Sequence, residues 1–168
     1  TRGTKLAVID IYETGTMKQA DFGYIIKPGT DGALACAVMH ILFRDGHADW
    51  DYLHRYTDAP EEFRDHLASR TPQWAAEITG LPVGKIEELA RLIGSTKRTY
   101  FRIGYGFTRS RNVAANMHAV TCIPAVTGAW AYEGGGALHS NSGLYGMNKT
   151  MIVGLDVRKP GIRILDQC

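Results

Sequence analysis

The sequence has little cysteine. Three residues in 168, Cys36, Cys122 and Cys168, are too few and too scattered for a disulfide scaffold or a four-cysteine metal site. A long apolar run is also lacking: nothing approaches the roughly 20 residues that span a bilayer, and no signal peptide opens the chain. Charge of one sign is missing too. Nineteen Lys and Arg stand against seventeen Asp and Glu, a net +2, with no basic run of the kind that marks a nucleic-acid or membrane-surface binder. Neither nucleic acid nor direct membrane insertion is expected. Reducing, cytoplasmic conditions fit best, with folded export to the periplasm as the alternative for a longer parent. The chain starts at Thr1 and enters a strand-like segment by Lys5, so a piece of something longer is expected. What remains is of globular composition, 45% hydrophobic, 21% charged and 10% aromatic, in a length able to bury one core.

Lys5 to Ile9 is a short apolar run ending at Asp10, with Thr14, Gly15 and Thr16 close behind. Bounded by turn residues, it suits a strand buried on both faces of a parallel sheet. Phe22 to Ile26 reads as a second strand, stopped by Pro28-Gly29. A helix capped by Thr30-Asp31 then runs from Gly32 to about Arg44, apolar nearly all round and hence buried. Charged amphipathic helices are expected over Asp49 to Tyr56 and Ala59 to Ser69. A further helix follows the Thr71-Pro72 cap and stops at Gly80, and another starts at Leu81-Pro82 and ends near Gly94. Thr99 to Ile103 returns to strand, Gly104-Tyr-Gly106 turns, and Asn112 to Thr127 is helical with Ala115, Ala119, Cys122 and Val126 on one face. Strands alternating with helices imply an α/β fold, an open and mostly parallel sheet flanked by helices in a doubly wound, Rossmann-like arrangement.

Residues 1–130 are read as that α/β domain and 131–168 as a glycine-rich extension of it. Eight of the nineteen glycines lie between Gly128 and Gly161, and Glu133 is the only charged side chain between Asn112 and Asn148. Backbone of this kind is expected to lie against a ligand or against protein outside this chain.

Asp10, at the carboxyl end of a first buried strand, stands where open α/β sheets bind ligands, and an acid there accepts from ribose hydroxyls; its plainer reading is a turn aspartate. In Pro28-Gly-Thr-Asp-Gly32, Asp31 either caps a helix or accepts from a purine's ring N–H and exocyclic amine. Gly104-Tyr-Gly106-Phe-Thr-Arg109 opens like a dinucleotide fingerprint but has Arg109 in place of the third glycine. It is a weak nicotinamide signature and a better glycine turn, with Arg109 and Arg111 able to reach phosphate. Cys36 with His40, and His118 with Cys122, are i, i+4 pairs on apolar helices, where such residues are usually core and seldom zinc ligands. No nucleophile elbow, Walker loop or carboxylate pair completes a catalytic constellation.

These residues resemble a known family. Leu6-Ala-Val-Ile-Asp10, Thr14-x-Thr16, Ala20-Asp21 and Ile26-Lys-Pro-Gly-Thr-Asp31 are similar to the molybdopterin-dependent oxidoreductases of the dimethyl-sulfoxide-reductase type. The similarity continues through Tyr56-Thr57, Glu62-Phe63, Thr71-Pro-x-Trp-Ala-Ala-Glu-Ile-Thr-Gly80, Ile86-x-x-Leu-Ala-Arg91, Gly104-Tyr-Gly106, Arg109-x-x-Asn112, Thr127-Gly128 and Gly134-Gly-Gly136. It covers roughly Lys5 to Gly136, in order.

The resemblance implies a catalytic subunit that holds molybdenum or tungsten between two molybdopterin guanine dinucleotides, for two-electron redox chemistry. By position, Asp10, Ile11, Tyr12, Glu13 and Thr14, together with Gly29, Thr30 and Asp31, would hold the guanosine end of one cofactor. Ile103, Gly104 and Phe107 would lie near the pterin, and His139, Ser140 and Asn141 on the substrate side. Ile11-Tyr12 stand where the family pattern has Pro-Arg, so that arginine's phosphate or ribose contact has no counterpart here. Neither the iron–sulfur cysteine cluster nor the metal-ligating segment is represented, and no arginine between Arg111 and Arg158 matches that of formate-oxidising members. The implied partners are the remainder of the same catalytic subunit and an electron-transfer subunit. By itself the chain is expected to be inactive, and the competing reading is a stand-alone nucleotide-binding or regulatory domain.

Overall fold

A computed structural model describes residues 3–139, 148, 150–154 and 156–162. Its first strand, β1 (Ala7–Asp10), pairs in parallel with β2 (Phe22–Ile25), with Asp10 opposite Ile25. The crossover between them carries only a short 3-10 turn, Met17–Gln19, whose first amide is held by the Thr14 hydroxyl at 3.2 Å. After β2 comes α1 (Asp31–Arg44), then α2 (Trp50–Tyr56), α3 (Pro60–Leu67), α4 (Pro72–Thr79) and α5 (Val83–Gly94). Strand β3 (Tyr100–Arg102) leads through a 3-10 segment, Tyr105–Arg109, into α6 (Val113–Val126). A short β4 (Gly136–Leu138) then returns parallel to β3, and α7 (Thr150–Val153) follows.

α1 is the axis of the core. Leu34, Ala35, Ala37, Val38, Met39, Ile41 and Leu42 are all buried, spread around the helix and not confined to a stripe. A helix apolar on every side must be enclosed on every side, and α3, α4, α5 and α6 all pack on it. Tyr24 of β2 and Ile26 just beyond it close the same core together with Ile86, Leu89, Ala90 and Ile93 of α5. The buried Tyr24 ring keeps its hydroxyl satisfied by donating to Glu88 at 3.0 Å, and burial beside that carboxylate raises its pKa. α4 is bounded by signals local to the chain. The Thr71 hydroxyl accepts from the Trp74 amide at 3.2 Å, Pro72 opens the first turn, and Gly80 ends the helix at φ 80°.

The α/β class, the parallel pairing and the helix order agree with the sequence reading. Among the described residues, however, the parallel strands form two separate pairs, β1–β2 and β3–β4. The expectation of a first strand buried on both faces also needs correcting. Ile9 is 43% exposed and Ile25 50% exposed. β2 alternates, with Tyr24 inward and Ile25 outward, because helices cover its inner face while Met17 shields the outer face only near Gly23. Ile9 has a different reason: it opens onto the cleft described next.

β4 carried no legible strand signal. It is three residues long and starts at a glycine pair, Gly135 just before it and Gly136 at its first position, that the fold itself requires. A side chain at Gly136 would enter the Trp130 ring, and one at Gly135 would strike the Ala129 carbonyl. These two glycines therefore have a packing reason within the chain.

Candidate functional site

The carboxyl ends of β1 and β2 lie side by side, joined beyond the strands by the Ile26 amide donating to the Asp10 carbonyl at 3.0 Å. Each leads into a segment that cannot continue the sheet. After β1, the Ile11 amide folds back to the Asp10 carboxylate at 2.8 Å. After β2, the Lys27 amide leaves for the Thr79 carbonyl, Gly29 takes φ +76°, and the Thr30 hydroxyl donates to the Lys27 carbonyl at 2.6 Å. The chain thereby reverses and starts α1 with Asp31 in its first turn.

Opposite these strand ends stands the segment between β3 and α6. Together they enclose a cleft of about 560 Å³ lined by Asp10, Ile11, Gly29, Asp31, Gly104 and Phe107, with Ile9, Ile26, Pro28, Gly106, Arg109, Ser110, Arg111 and Asn112. Tyr12, Glu13, Thr14, Thr30 and Ile103 do not line it. Tyr12 is 63% exposed, Thr14 caps the 3-10 turn, Thr30 is tied back to Lys27, and Ile103 is buried with its amide on the Leu138 carbonyl.

The cleft has two electrostatic characters. On the strand-end side Asp31 and Asp10 share the space. Burial, and then the charge of Asp10, hold the Asp31 carboxyl above the usual carboxylate range. Two partly desolvated carboxylates side by side favour N–H or O–H donors. On the other side Arg109 and Arg111 make no ion pair among the described residues, and both are exposed. A ligand with N–H donors at one end and negative oxygens at the other would satisfy both halves.

Gly104 and Gly106 border this cleft with no packing reason among the described residues. Gly104 has φ −88° and ψ 173°, open to any residue, and Gly106 also avoids the left-handed region. A Cβ built on either meets no heavy atom within 4 Å. The space in front of both is open among the described residues, so backbone there can be approached closely.

His139 lies at the end of β4, its ring edge-on to Tyr105 with centroids 5.2 Å apart. Its carbonyl accepts from the Arg102 guanidinium, and its buried Nδ1 has no hydrogen-bond partner among the described residues. Ser140 and Asn141 lie outside the described residues. The Cys/His pairs do not converge on a metal-ligating group among the described residues. His40 Nδ1 is instead 3.0 Å from the Leu67 carbonyl, and burial pushes the Cys36 and Cys122 thiols up, away from ready thiolates.

Asn116 was not legible as a site residue. It sits on the helix whose apolar face was read as Ala115, Ala119, Cys122 and Val126, yet it is 7% exposed and hydrogen-bonds across the base of the cleft. An amide side chain inside an uncharged, apolar helix is the one signal that could have singled it out.

No family model matches the chain. It is 38% identical over 158 residues to a probable oxidoreductase, YoaE, of Bacillus subtilis, covering 94% of this chain and 23% of that protein. It is 32% identical over 152 residues to the dimethyl sulfoxide reductase DmsA of Haemophilus influenzae, covering 78% and 19% respectively. The fold is also similar to acetylene hydratase from Pelobacter acetylenicus, with a TM-score of 0.73 and 23% identity over 76% of this chain and 18% of that one. The chain thus spans about a fifth of the length of the curated relatives it matches.

Proposed function

Because the chain belongs to the oxidoreductases of the dimethyl-sulfoxide-reductase type, the molybdopterin enzymes, we propose that it serves a molybdenum or tungsten catalytic subunit by binding the guanine dinucleotide end of the pterin cofactor. The observation that carries this reading is the cleft's division of labour. Carboxylates stand at one end and, at the other, arginines without an ion pair among the described residues, with two glycines open between them. Guanine offers a ring N–H and an exocyclic amine side by side, the donor set a carboxylate such as Asp31 accepts in parallel. Asp10 is placed for a ribose hydroxyl or the same base edge, and Arg109 and Arg111 for the pyrophosphate. These arginines would take the part that Ile11-Tyr12 cannot.

The bound metal–pterin would supply the two-electron chemistry. This chain's residues bind and orient the nucleotide end. Gly104 and Gly106 let the backbone come close, while Ile9, Ile26 and Phe107 exclude water from the cleft's apolar lining. His139 Nδ1, buried beside Tyr105 and without a hydrogen-bond partner among the described residues, is suited to a hydrogen bond toward the pterin or substrate side. The remainder of the catalytic subunit and an electron-transfer subunit are the proposed partners.

Two measurements test this. The full natural polypeptide should release molybdenum or tungsten and a guanine nucleotide in stoichiometric amounts on acid extraction, and their absence would sink the assignment. In titrations of the chain, GDP should bind and be displaced poorly by NADH. Gly104→Ala sharpens the second test. An unstrained Gly→Ala change should leave the melting temperature unchanged or raise stability by about 0.4–1 kcal/mol, while GDP binding weakens because a methyl group now occupies ligand space. Unaltered GDP affinity would show that Gly104 does not face the nucleotide.

A further inference from the structure

Resting on the nucleotide reading above, we propose that Asn116 is a positioning residue that fixes the spacing between the base-binding and phosphate-binding halves of the cleft. Asn116 lies in α6 and does not line the cleft itself. A buried amide persists only where its polar atoms find partners, and those of Asn116 come from both sides. Its Nδ2 donates to the Gly29 carbonyl at 3.2 Å, in the loop that ends at Asp31, and to the Ser110 hydroxyl at 3.4 Å, between Arg109 and Arg111. Ser110 passes the constraint on by donating to the Phe107 carbonyl at 3.1 Å.

Packing supports the same role. A Cβ at Gly29 would sit 3.3 Å from the Ser110 Cβ, so the two segments already touch and the Asn116 amide sets where they do so. The room for that amide comes from Gly32, in the first turn of α1. A Cβ there would stand 2.5 Å from Asn116 Oδ1. One side chain is thus joined to the loop bearing the carboxylate and to the segment bearing the arginines, through partners 87 and 6 residues away.

The consequence is a bivalent one. A ligand that engages Asp31 with its base and the arginines with its phosphates makes its second contact intramolecularly. The gain depends on how stiffly the two halves are held at the matching distance. Loosening the tie should remove that gain and spare each half-site.

The test titrates GDP, guanosine and inorganic pyrophosphate into the natural chain and into Asn116→Leu at one fixed, low ionic strength, with thermal melting alongside. The expected result is GDP binding weakened about tenfold in the variant, with guanosine and pyrophosphate within about twofold of the natural chain. Ser110→Ala removes one of the two acceptors without touching the α6 core. It should give the same pattern in smaller degree, and it keeps the test decisive if Asn116→Leu does not fold. Because Ser110 itself lines the cleft, loss of pyrophosphate binding alongside GDP in Ser110→Ala, parallel loss of all three ligands, or no change in any would make Asn116 an ordinary core residue. If the natural chain binds GDP no better than guanosine, the spacing role falls while the nucleotide site stands. If it binds neither, the nucleotide reading fails first and this inference with it.

Discussion

Asp31→Asn should melt at a higher temperature than the natural chain at pH 7 and still bind GDP at least about tenfold more weakly. The stability half follows from the raised Asp31 pKa. Burial, and next the charge of Asp10, disfavour the ionised carboxylate in the fold. The folded chain therefore holds this proton more tightly than the unfolded one. That favours the fold at pH values below the ordinary carboxylate range, and the advantage is lost as pH rises through the raised folded value. At pH 7 the cost of burying the charge is fully present, so a neutral amide of nearly the same shape removes it. Placing a negative charge in the first turn of α1 works in the opposite direction, by about 0.3–1 kcal/mol, but the net upward shift means desolvation wins. Melting curves at pH 7 and near pH 3 should show the variant's gain at the first and little difference at the second. A variant that melts lower at pH 7 would mean that the helix terminus needs the charge.

The binding half has the opposite sign because the same carboxylate is the feature a guanine edge needs. Asparagine replaces one of two parallel acceptors with a donor, which then faces a donor on the base. Hydrogen bonds to charged groups contribute about 1.5–3 kcal/mol, equivalent to about tenfold or more in affinity. Unchanged GDP affinity in Asp31→Asn would remove Asp31 from the base-binding role and leave it as a half-buried helix-start residue. A residue that destabilises the unliganded fold and strengthens the liganded one is what a binding site, and not a capping site, would select.

Leu42→Ala carries the largest expected loss of stability. Leu42 is fully buried in α1, the helix that the other core helices surround. Truncating such a side chain costs about 2–5 kcal/mol, part from lost transfer free energy and part from the cavity left behind. In a chain of this size that lowers the melting midpoint by about 10 °C. Urea unfolding monitored by tryptophan fluorescence should show a reduced midpoint with the slope retained. A cost below about 1 kcal/mol would mean that the core around α1 closes over the gap. Leu42 is not among the residues lining the cleft, so GDP affinity of the folded variant should match that of the natural chain. The variant thereby separates a packing defect from a binding defect.

How far the sequence could be read depended on how local each cause was. The Thr71-Pro72 start and Gly80 stop of α4 act within a few residues, and α4 runs Pro72–Thr79 with Gly80 at φ 80°. The all-round apolar character of α1 needed no partner to be recognised, since no exposed helix could carry it. Asp10, Gly29, Asp31 and Gly104 were legible because strand ends and glycine turns mark where an α/β sheet admits a ligand. The family resemblance also implied Tyr12, Glu13, Thr14 and Thr30, which do not line the cleft. The fold turned them to solvent or into local hydrogen bonds, because two or three residues of turn suffice to redirect a side chain.

By itself the sequence determined the helices, the Thr71 cap of α4, the buried axis and the two strand ends that bear the carboxylates, because each arises from interactions between residues close along the chain; the cap expected of Thr30 on α1 is not made, since its hydroxyl donates to the Lys27 carbonyl instead. Only the tertiary structure decided that β4 pairs with β3 and that Gly135 and Gly136 serve packing while Gly104 and Gly106 stay open. It also decided that Asp31 lies close enough to Asp10 to share its charge, and that Asn116 spans to Gly29. The glycine contacts reach back six residues, whereas the strand pairing, the carboxylate pair and the Asn116 bond join residues 21 to 87 positions apart. Their partners come from segments whose meeting depends on how the whole core packs, and no local pattern encodes that distance.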